Sequence, residues 1–371
     1  MNINLHLLGL VCATLGVSFI VAIITTPIVK QLAQRVGAVD DPKKDKDPGR
    51  RVHTHPIPRM GGLAIFLGFL LSVLIFVPLS GQVKGMLLGA VIIVVLGIFD
   101  DIYDLRAMFK FGVQIIAALI AVLSGNEIVT LSNPNIFSAN PYWDLGWLAI
   151  PVSVLWIVAI TNAVNLIDGL DGLACGVSTI SSMTLLVITL VAPDIVSPTV
   201  PLMVAALVGG CLGFLPYNLN PAKIFMGDTG STFLGFALGV ISIQGVFKLH
   251  IAISFVVPFL MLGLPIFDTA FAFIRRIAHG QSPMHPDRSH VHHRLMDMGF
   301  SQKQTVAILY IISAVLGLSA VVLTTSGPLR AMLVLMALCV AGGVAMRLFI
   351  HPHNPGADAQ DSETEDEEDG Q

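Results

Sequence analysis

Apolar residues in this chain fall in runs separated by short polar segments, and the runs reach the roughly 20 residues that an α-helix needs to cross the hydrocarbon core of a bilayer. Runs near 5–29, 61–80, 85–99, 108–124, 145–162, 174–192, 198–216, 231–247, 249–274, 304–324 and 329–350 predict about 11 spanning helices. The alternating ten-residue segments of a transmembrane barrel are not seen. The first run has no basic residue before it, is too long for the apolar region of a signal peptide, and is followed by Lys30 rather than a small-residue cleavage site. It is expected to be a retained span. The predicted fold class is therefore all-α and polytopic.

Composition agrees: 54% of the residues are hydrophobic and 12% charged, with a mean hydropathy of +0.82. That balance excludes an ordinary soluble enzyme, a disordered chain and a collagen-like one. Cys12, Cys211 and Cys339 sit inside apolar runs and Cys175 at the start of another, so neither a disulfide framework nor a CxxC metal site is indicated. With an odd number of spans the connecting segments alternate between two sides, and one side collects 17 of the 20 Lys and Arg. The positive-inside rule makes that side cytoplasmic, with the N-terminus outside and the C-terminus inside. The last segment, 354–371, carries eight acidic residues and no basic one. It is expected to be a disordered, solvated tail, leaving 1–353 as the transmembrane domain.

Every chemically suggestive segment falls on the predicted cytoplasmic side. Ionisable groups near span ends cost free energy that something must offset, and here they are mostly aspartates. Asp100 and Asp101 close the third span, where adjacent carboxylates repel and the helix dipole disfavours them. A metal or a catalytic role would account for the pair. Asn162, Asn165, Asp168 and Asp171 recur every third residue, which on a helix puts amides and carboxylates on one face. A solvated stripe would share that spacing but would not need Gly169 and Gly172, which let a ligand or a second backbone approach. The segment from Asn218 through Lys223 to Gly227-Asp228-Thr229-Gly230-Ser231 resembles a turn that offers N–H groups to an anion at a helix start, with Asp228 available to a metal. A plain helix cap is the alternative reading of that turn.

Four histidines, His285, His290, His292 and His293, lie within nine residues beside Arg288 and Arg294. No cysteine is near, and the surrounding oxygen ligands suit magnesium or manganese better than zinc. The imidazoles and guanidiniums suit phosphate binding. The first loop, containing His53 and Arg59, is basic and rich in proline; it serves either substrate contact or topology and anionic lipid headgroups. The ninth run carries Pro258, Pro265 and Asp268, and its prolines are expected to bend the span and open a groove for a lipid chain. Together these segments point to phosphoryl transfer at the membrane face between a soluble phosphorylated donor and a lipid acceptor. A transporter of lipid-linked sugars is the competing class, but it should place its ionisable groups near mid-membrane in repeated halves.

The same segments, in order, resemble the polyprenyl-phosphate N-acetylhexosamine-1-phosphate transferases, the family of MraY and WecA. The resemblance runs from about Val36 to Leu295 through Arg-Arg-Val-His and Pro-Ile-Pro-Arg-Met-Gly-Gly at 50–62, Phe-Asp-Asp at 99–101, Asn-Ala-Val-Asn-Leu-Ile-Asp-Gly-Leu-Asp-Gly at 162–172, Phe-Met-Gly-Asp-Thr-Gly-Ser at 225–231 and Pro-Asp-Arg-Ser-His-Val-His-His at 286–293. It implies transfer of a sugar 1-phosphate from a UDP-sugar to undecaprenyl phosphate with release of UMP. It also implies a bacterial inner-membrane protein whose active site faces the cytoplasm. By this resemblance Asp228 is the principal Mg²⁺ ligand, with Mn²⁺ as the alternative ion, and Asp100 and Asp101 are catalytic and share the metal. Asp168 and Asp171 belong to the catalytic set, while Asn162, Asn165, Asn218 and Lys223 contact the donor. His290, His292 and His293 hold the diphosphate, and His53, Arg59 and Arg288 contact substrate. Pro-Ile-Pro-Arg59 and Pro-Asp-Arg288 look like the WecA and TagO branch, which implies UDP-GlcNAc as donor and a polymer of the O-antigen, enterobacterial common antigen or teichoic-acid type. UDP-MurNAc-pentapeptide is the alternative donor. A homodimer is left open, and nucleic acid is not expected as a partner.

Overall fold

The computed structural model describes residues 5–41, 55–132, 140, 142–191, 196–245, 247, 256–278, 290–326, 329–330, 332–334 and 336. His53, Arg288, the acidic tail and most of the eleventh expected span lie outside the described residues. The chain forms α1 (Leu5–Val36), α2 (Gly62–Phe76), α3 (Gly81–Tyr103), α4 (Ala107–Leu123), α5 (Ala149–Leu166), α6 (Leu173–Val191), α7 (Thr199–Asn218), α8 (Gly227–Gly245), α9 (Val256–Met261), α10 (Gly263–Ala278), α11 (Val291–Asp297) and α12 (Gln302–Ser326). Among the described residues, six helices are long and apolar enough to cross a membrane, and α2 and α4 are shorter apolar helices. The protein is thus a polytopic helical membrane protein. The ninth expected span is interrupted, α9 ending at Met261 and α10 starting at Gly263, and Pro258 and Pro265 flank the break.

Two small antiparallel ladders accompany the helices. β1 (Val39–Asp40) pairs with β2 (Ile57–Pro58), Asp40 opposite Ile57, and β3 (Thr130–Ser132) pairs with β4 (Tyr142–Asp144), Leu131 opposite Trp143. The first ladder closes the loop between α1 and α2, so that loop is not wholly irregular.

Packing follows the logic of a lipid solvent, in which polar and small residues turn inward and large apolar ones outward. In α1, Thr14, Ser18, Ala22 and Thr26 form one buried face at four-residue spacing, while Ile20, Ile24 and Ile28 are exposed. The Ser18 hydroxyl donates to the carbonyl of Ala206 in α7. α7 approaches α1 through Gly209 and Gly213, and a Cβ at Gly213 would stand 2.5 Å from the Phe19 carbonyl oxygen. α8 is the central helix, nearly all of it buried, and it packs on α3, α5 and α2. The start of α8 is held by two close approaches: a Cβ at Gly62 would run into the backbone of Gly230, and one at Gly97 into the backbone of Thr229. These contacts fix where Asp228 stands relative to the ends of α2 and α3.

Candidate active site

The segments singled out from the sequence meet at one end of the bundle, where α3, α5 and α7 end and α4, α6 and α8 begin. Asp100 and Asp101 close α3 but point in different directions, since neighbours on a helix are separated by about 100°. Asp100 Oδ1 accepts the Leu105 N–H at 2.8 Å, and its Oδ2 accepts from Lys110 Nζ at 2.7 Å. Lys110, in the first turn of α4, also donates to Asp228 Oδ2 at 2.9 Å. Two carboxylates from α3 and α8 therefore share one ammonium. Asp101 faces the start of α8 instead: its Oδ1 accepts the Asp228 N–H at 2.9 Å, and its Oδ2 accepts the Thr229 N–H at 3.1 Å and the Thr229 hydroxyl at 2.6 Å. Those bonds satisfy donors that a helix leaves open at its start and place a negative charge against the positive end of the dipole. Gly227, at φ +71°, leaves no room for a side chain beside this carboxylate; a Cβ there would meet its oxygens.

The first loop is stitched to the same helix start. Phe225 N–H donates to the Pro58 carbonyl at 2.8 Å, and the Gly61 and Gly62 N–H groups donate to Phe225 and Met226, each at 2.9 Å. Met60, buried between them, takes φ +74°. This places Arg59 in the site, 3.7 Å from Asp40.

The asparagines and aspartates at the end of α5, in the loop beyond it and at the end of α7 divide their work. Asn162 donates to Gln114 Oε1 of α4 at 2.7 Å and to the Val158 carbonyl at 2.8 Å. Asn165 Oδ1 accepts from the Ser231 hydroxyl at 2.9 Å, tying α5 to α8. Asp171 Oδ2 accepts from Asn220 Nδ2 at 2.9 Å and the Ala222 N–H at 3.0 Å, which pins the loop after α7. Asn218 Nδ2 donates to the Ile224 carbonyl at 3.1 Å in that loop, and the backbone of Lys223 donates to the Tyr217 carbonyl at 2.8 Å. Asp168 is the least engaged of the set. Burial, reinforced by the negative charge of Asp228, pushes its pKa up to about 8, against the opposing charge of Arg59. A carboxyl held in that range can donate a hydrogen bond as well as accept one.

Of the histidines, His290 is anchored by Asp268: Nδ1 lies 2.9 Å from Asp268 Oδ2, and Oδ1 accepts the Val291 N–H at 2.9 Å. The acid that sequence placed in the bent span thus holds the start of α11. His290 and His292 stack nearly parallel with ring centroids 5.7 Å apart, and His293 lies 4.3 Å from His292. His292 packs over Gly169, where a Cβ would stand 2.5 Å from its Nε2. That Nε2 is buried with no hydrogen-bond partner among the described residues. Burial, with His293 and His290 alongside, pushes the pKa of His292 down to about 4. It is a neutral imidazole at physiological pH, suited to a hydrogen bond rather than a full charge pair.

A cavity of about 400 Å³ connects these elements, lined by Arg59, Asn165, Asp168, Asp171, Asn218 and Asp228 among others. Asn220 and Gln302 line it too, and Lys110 bonds Asp228, one of the lining residues; in the sequence reading Lys110 counts only toward the charge balance, and Asn220 and Gln302 have no role. Among the described residues no three His, Cys, Asp or Glu side chains form a metal cage. The two carboxylates already sharing the Lys110 ammonium nevertheless fit a magnesium ion, which takes one or two carboxylates and completes its shell with water and substrate phosphates.

Comparison with known proteins matches residues 83–246 to the family model described as glycosyl transferase family 4, a stretch that contains Asp100, Asp101, Lys110, Asp168, Asp171 and Asp228. The chain is 45% identical over 311 residues to the probable undecaprenyl-phosphate N-acetylglucosaminyl 1-phosphate transferase of Bacillus subtilis (strain 168), covering 84% of each chain. It is 32% identical over 367 residues to the decaprenyl-phosphate N-acetylglucosaminephosphotransferase of Mycobacterium tuberculosis (strain CDC 1551 / Oshkosh), covering 92% of this chain and 88% of the relative. A phospho-N-acetylmuramoyl-pentapeptide-transferase of Desulforudis audaxviator (strain MP104C) is 32% identical over 333 residues, covering 82% and 96%.

Proposed function

The chain belongs to the polyprenyl-phosphate N-acetylhexosamine-1-phosphate transferases of glycosyl transferase family 4, and from that premise we propose that it transfers GlcNAc 1-phosphate from UDP-GlcNAc to undecaprenyl phosphate. The products are UMP and undecaprenyl-diphosphate-GlcNAc, the starting lipid of a cell-envelope polysaccharide. The observation that carries the reading is the pair Asp100 and Asp228, brought from α3 and α8 to share the Lys110 ammonium, with Asp228 also lining the polar cavity. The choice of GlcNAc follows the activity named for the Bacillus subtilis relative that is 45% identical.

In the proposed reaction an oxygen of the lipid phosphate attacks the β-phosphorus of the donor in line with the bridging oxygen. A new P–O bond joins the two phosphates of the product, the bond to the bridging oxygen breaks, and its electron pair leaves with UMP. Mg²⁺, with Mn²⁺ as a substitute, would be held by Asp228 and Asp100 and supplies neutralising charge for the diphosphate when bound. Lys110 offers the incoming lipid phosphate an ammonium already fixed by two carboxylates, and Arg59 brings a second cation to the cavity. Asp101 acts as a positioning residue, because its oxygens are taken up by the start of α8. His292 presents its buried Nε2 over Gly169 to the donor, while Asp268 and the neighbouring imidazoles hold the ring in place. Asp168 and Asn165 line the donor side, and His53 and Arg288 complete the phosphate contacts in this reading.

An apolar cavity of about 380 Å³ between α4 and α5, lined by Phe111, Ile115, Leu119, Ile150, Val154 and Val158 among others, supports a lipid acceptor. Its lining includes Phe111 of α4, the helix that also carries Lys110, and in this reading the polyprenyl chain lies along that helix. This groove, rather than the bend in the ninth span, is the better candidate for the acceptor tail. The reaction is assigned to the inner membrane with the cavity facing the cytoplasm, where UDP-sugars are made and where the basic loops are expected.

Purified protein given undecaprenyl phosphate and Mg²⁺ is expected to release UMP from UDP-GlcNAc, to stop with EDTA and to recover with excess Mg²⁺. UMP from UDP-MurNAc-pentapeptide alone would overturn the choice of sugar. Silence with both donors from folded protein would overturn the transferase reading and return attention to transport.

A further inference from the structure

α12 begins downstream of every motif that points to the reaction, yet its first residue lines the donor cavity. Gln302 Oε1 accepts a hydrogen bond from Asn220 Nδ2 at 2.7 Å, and the same amide donates to Asp171 Oδ2 at 2.9 Å. One NH₂ group therefore holds a carboxamide and a carboxylate side by side, each by one of its two polar ends. The other ends are Asp171 Oδ1, an acceptor, and Gln302 Nε2, which carries two N–H donors. Neither has a partner among the described residues, and both belong to side chains that line the cavity.

An acceptor beside a donor is the complement of an imide edge, an N–H flanked by a carbonyl. Uracil has such an edge. Cytosine has the reverse order, a bare ring nitrogen beside an amino group, and would set its nitrogen against the carboxylate and its amino hydrogens against those of Gln302. We propose that Gln302 is a specificity-determining residue for the donor nucleotide: its amide donates to a carbonyl flanking the uracil N–H, which Asp171 accepts. The inference rests on the reading of this cavity as a UDP-sugar site and adds to it a residue of the helix that follows the histidine motif. Asn220 is the positioning residue of the pair, since both of its amide hydrogens are spent on holding the two readers in register. A site built around such paired polar groups rejects the mismatched ligand strongly, because the mismatch leaves buried donors and acceptors unmade.

The test compares UDP-GlcNAc with its 2-thio and 4-thio uracil analogues in the parent protein and in Gln302→Met, with undecaprenyl phosphate held at saturation. Sulfur is a poor acceptor, so one of the two analogues should show a KM about tenfold above that of UDP-GlcNAc in the parent, the loss of one hydrogen bond. Gln302→Met should raise the KM for UDP-GlcNAc by about the same factor and show no added penalty for that analogue. A purely structural part for Gln302, acting through Asn220, would raise KM alike for all three donors in the variant while the parent treats them alike; that result overturns the proposal. Equal use of all three donors by the parent overturns it without any variant. Absence of UMP release from UDP-GlcNAc in the parent would remove the donor reading itself, which separates the two failures.

Discussion

Asp228→Asn is expected to lower turnover about 10³-fold, the scale seen when a group that stabilises developing charge is removed. The substitution keeps the size and one oxygen of the side chain but removes the charge, so Asp100 alone would face both Lys110 and the divalent ion. Asp228 lies in the first turn of α8, where its backbone N–H is already bonded to Asp101. That bond survives the change, and the fold around it should survive with it. The activity midpoint for Mg²⁺ is expected to rise at least about tenfold, equivalent to roughly 1.4 kcal/mol of binding, while the thermal midpoint in detergent stays near that of the parent. Turnover within a few-fold of the parent would contradict the assignment.

Asp101→Ala is expected to produce the second large effect by a different route. It strips the start of α8 of the carboxylate that accepts from Asp228 N, Thr229 N and Thr229 Oγ1. A buried donor left without a partner costs about 1–3 kcal/mol, and the cavity left by the carboxylate adds to that. Turnover should fall about 100-fold or more, as for other losses of active-site support, and the thermal midpoint should fall with it. Saturating Mg²⁺ should not restore the rate. Recovery of activity at high Mg²⁺ with an unchanged thermal midpoint would instead make Asp101 a metal ligand. The contrast with Asp228→Asn separates positioning from coordination in two acids that each sit close to the same helix start.

Much of this arrangement was legible in the chain. The apolar runs anticipated the helices because each span must be apolar along its whole length, and the Asp, Asn and His segments stood out because polar groups at span ends need compensation. Roles within the segments were less legible. Asp100 and Asp101 are adjacent in sequence and read as one pair, yet the 3.6-residue helical repeat turns one toward Lys110 and the other toward α8. Lys110 read as a topology charge because a single lysine at a span end carries no pattern, and its two carboxylate partners come from 10 and 118 residues away. Asp268 stood out only as an acid within the ninth run, and its partner is His290, 22 residues on. The break at Leu262 was foreshadowed by Pro258 and Pro265, but the apolar groove lies between α4 and α5, whose pairing no local pattern encodes. Gln302 was invisible for the same reason: nothing near it in sequence marks it, and only the folding of α12 against α6 brings it to Asn220.

The most direct test of the account follows one phosphorus atom. UDP-GlcNAc labelled with ³²P at the β position, incubated with the protein, undecaprenyl phosphate and Mg²⁺, should deliver its label to the lipid-linked diphosphate and leave UMP unlabelled. Label retained in released UDP would mean that the sugar moves without its phosphate, which contradicts the proposed chemistry.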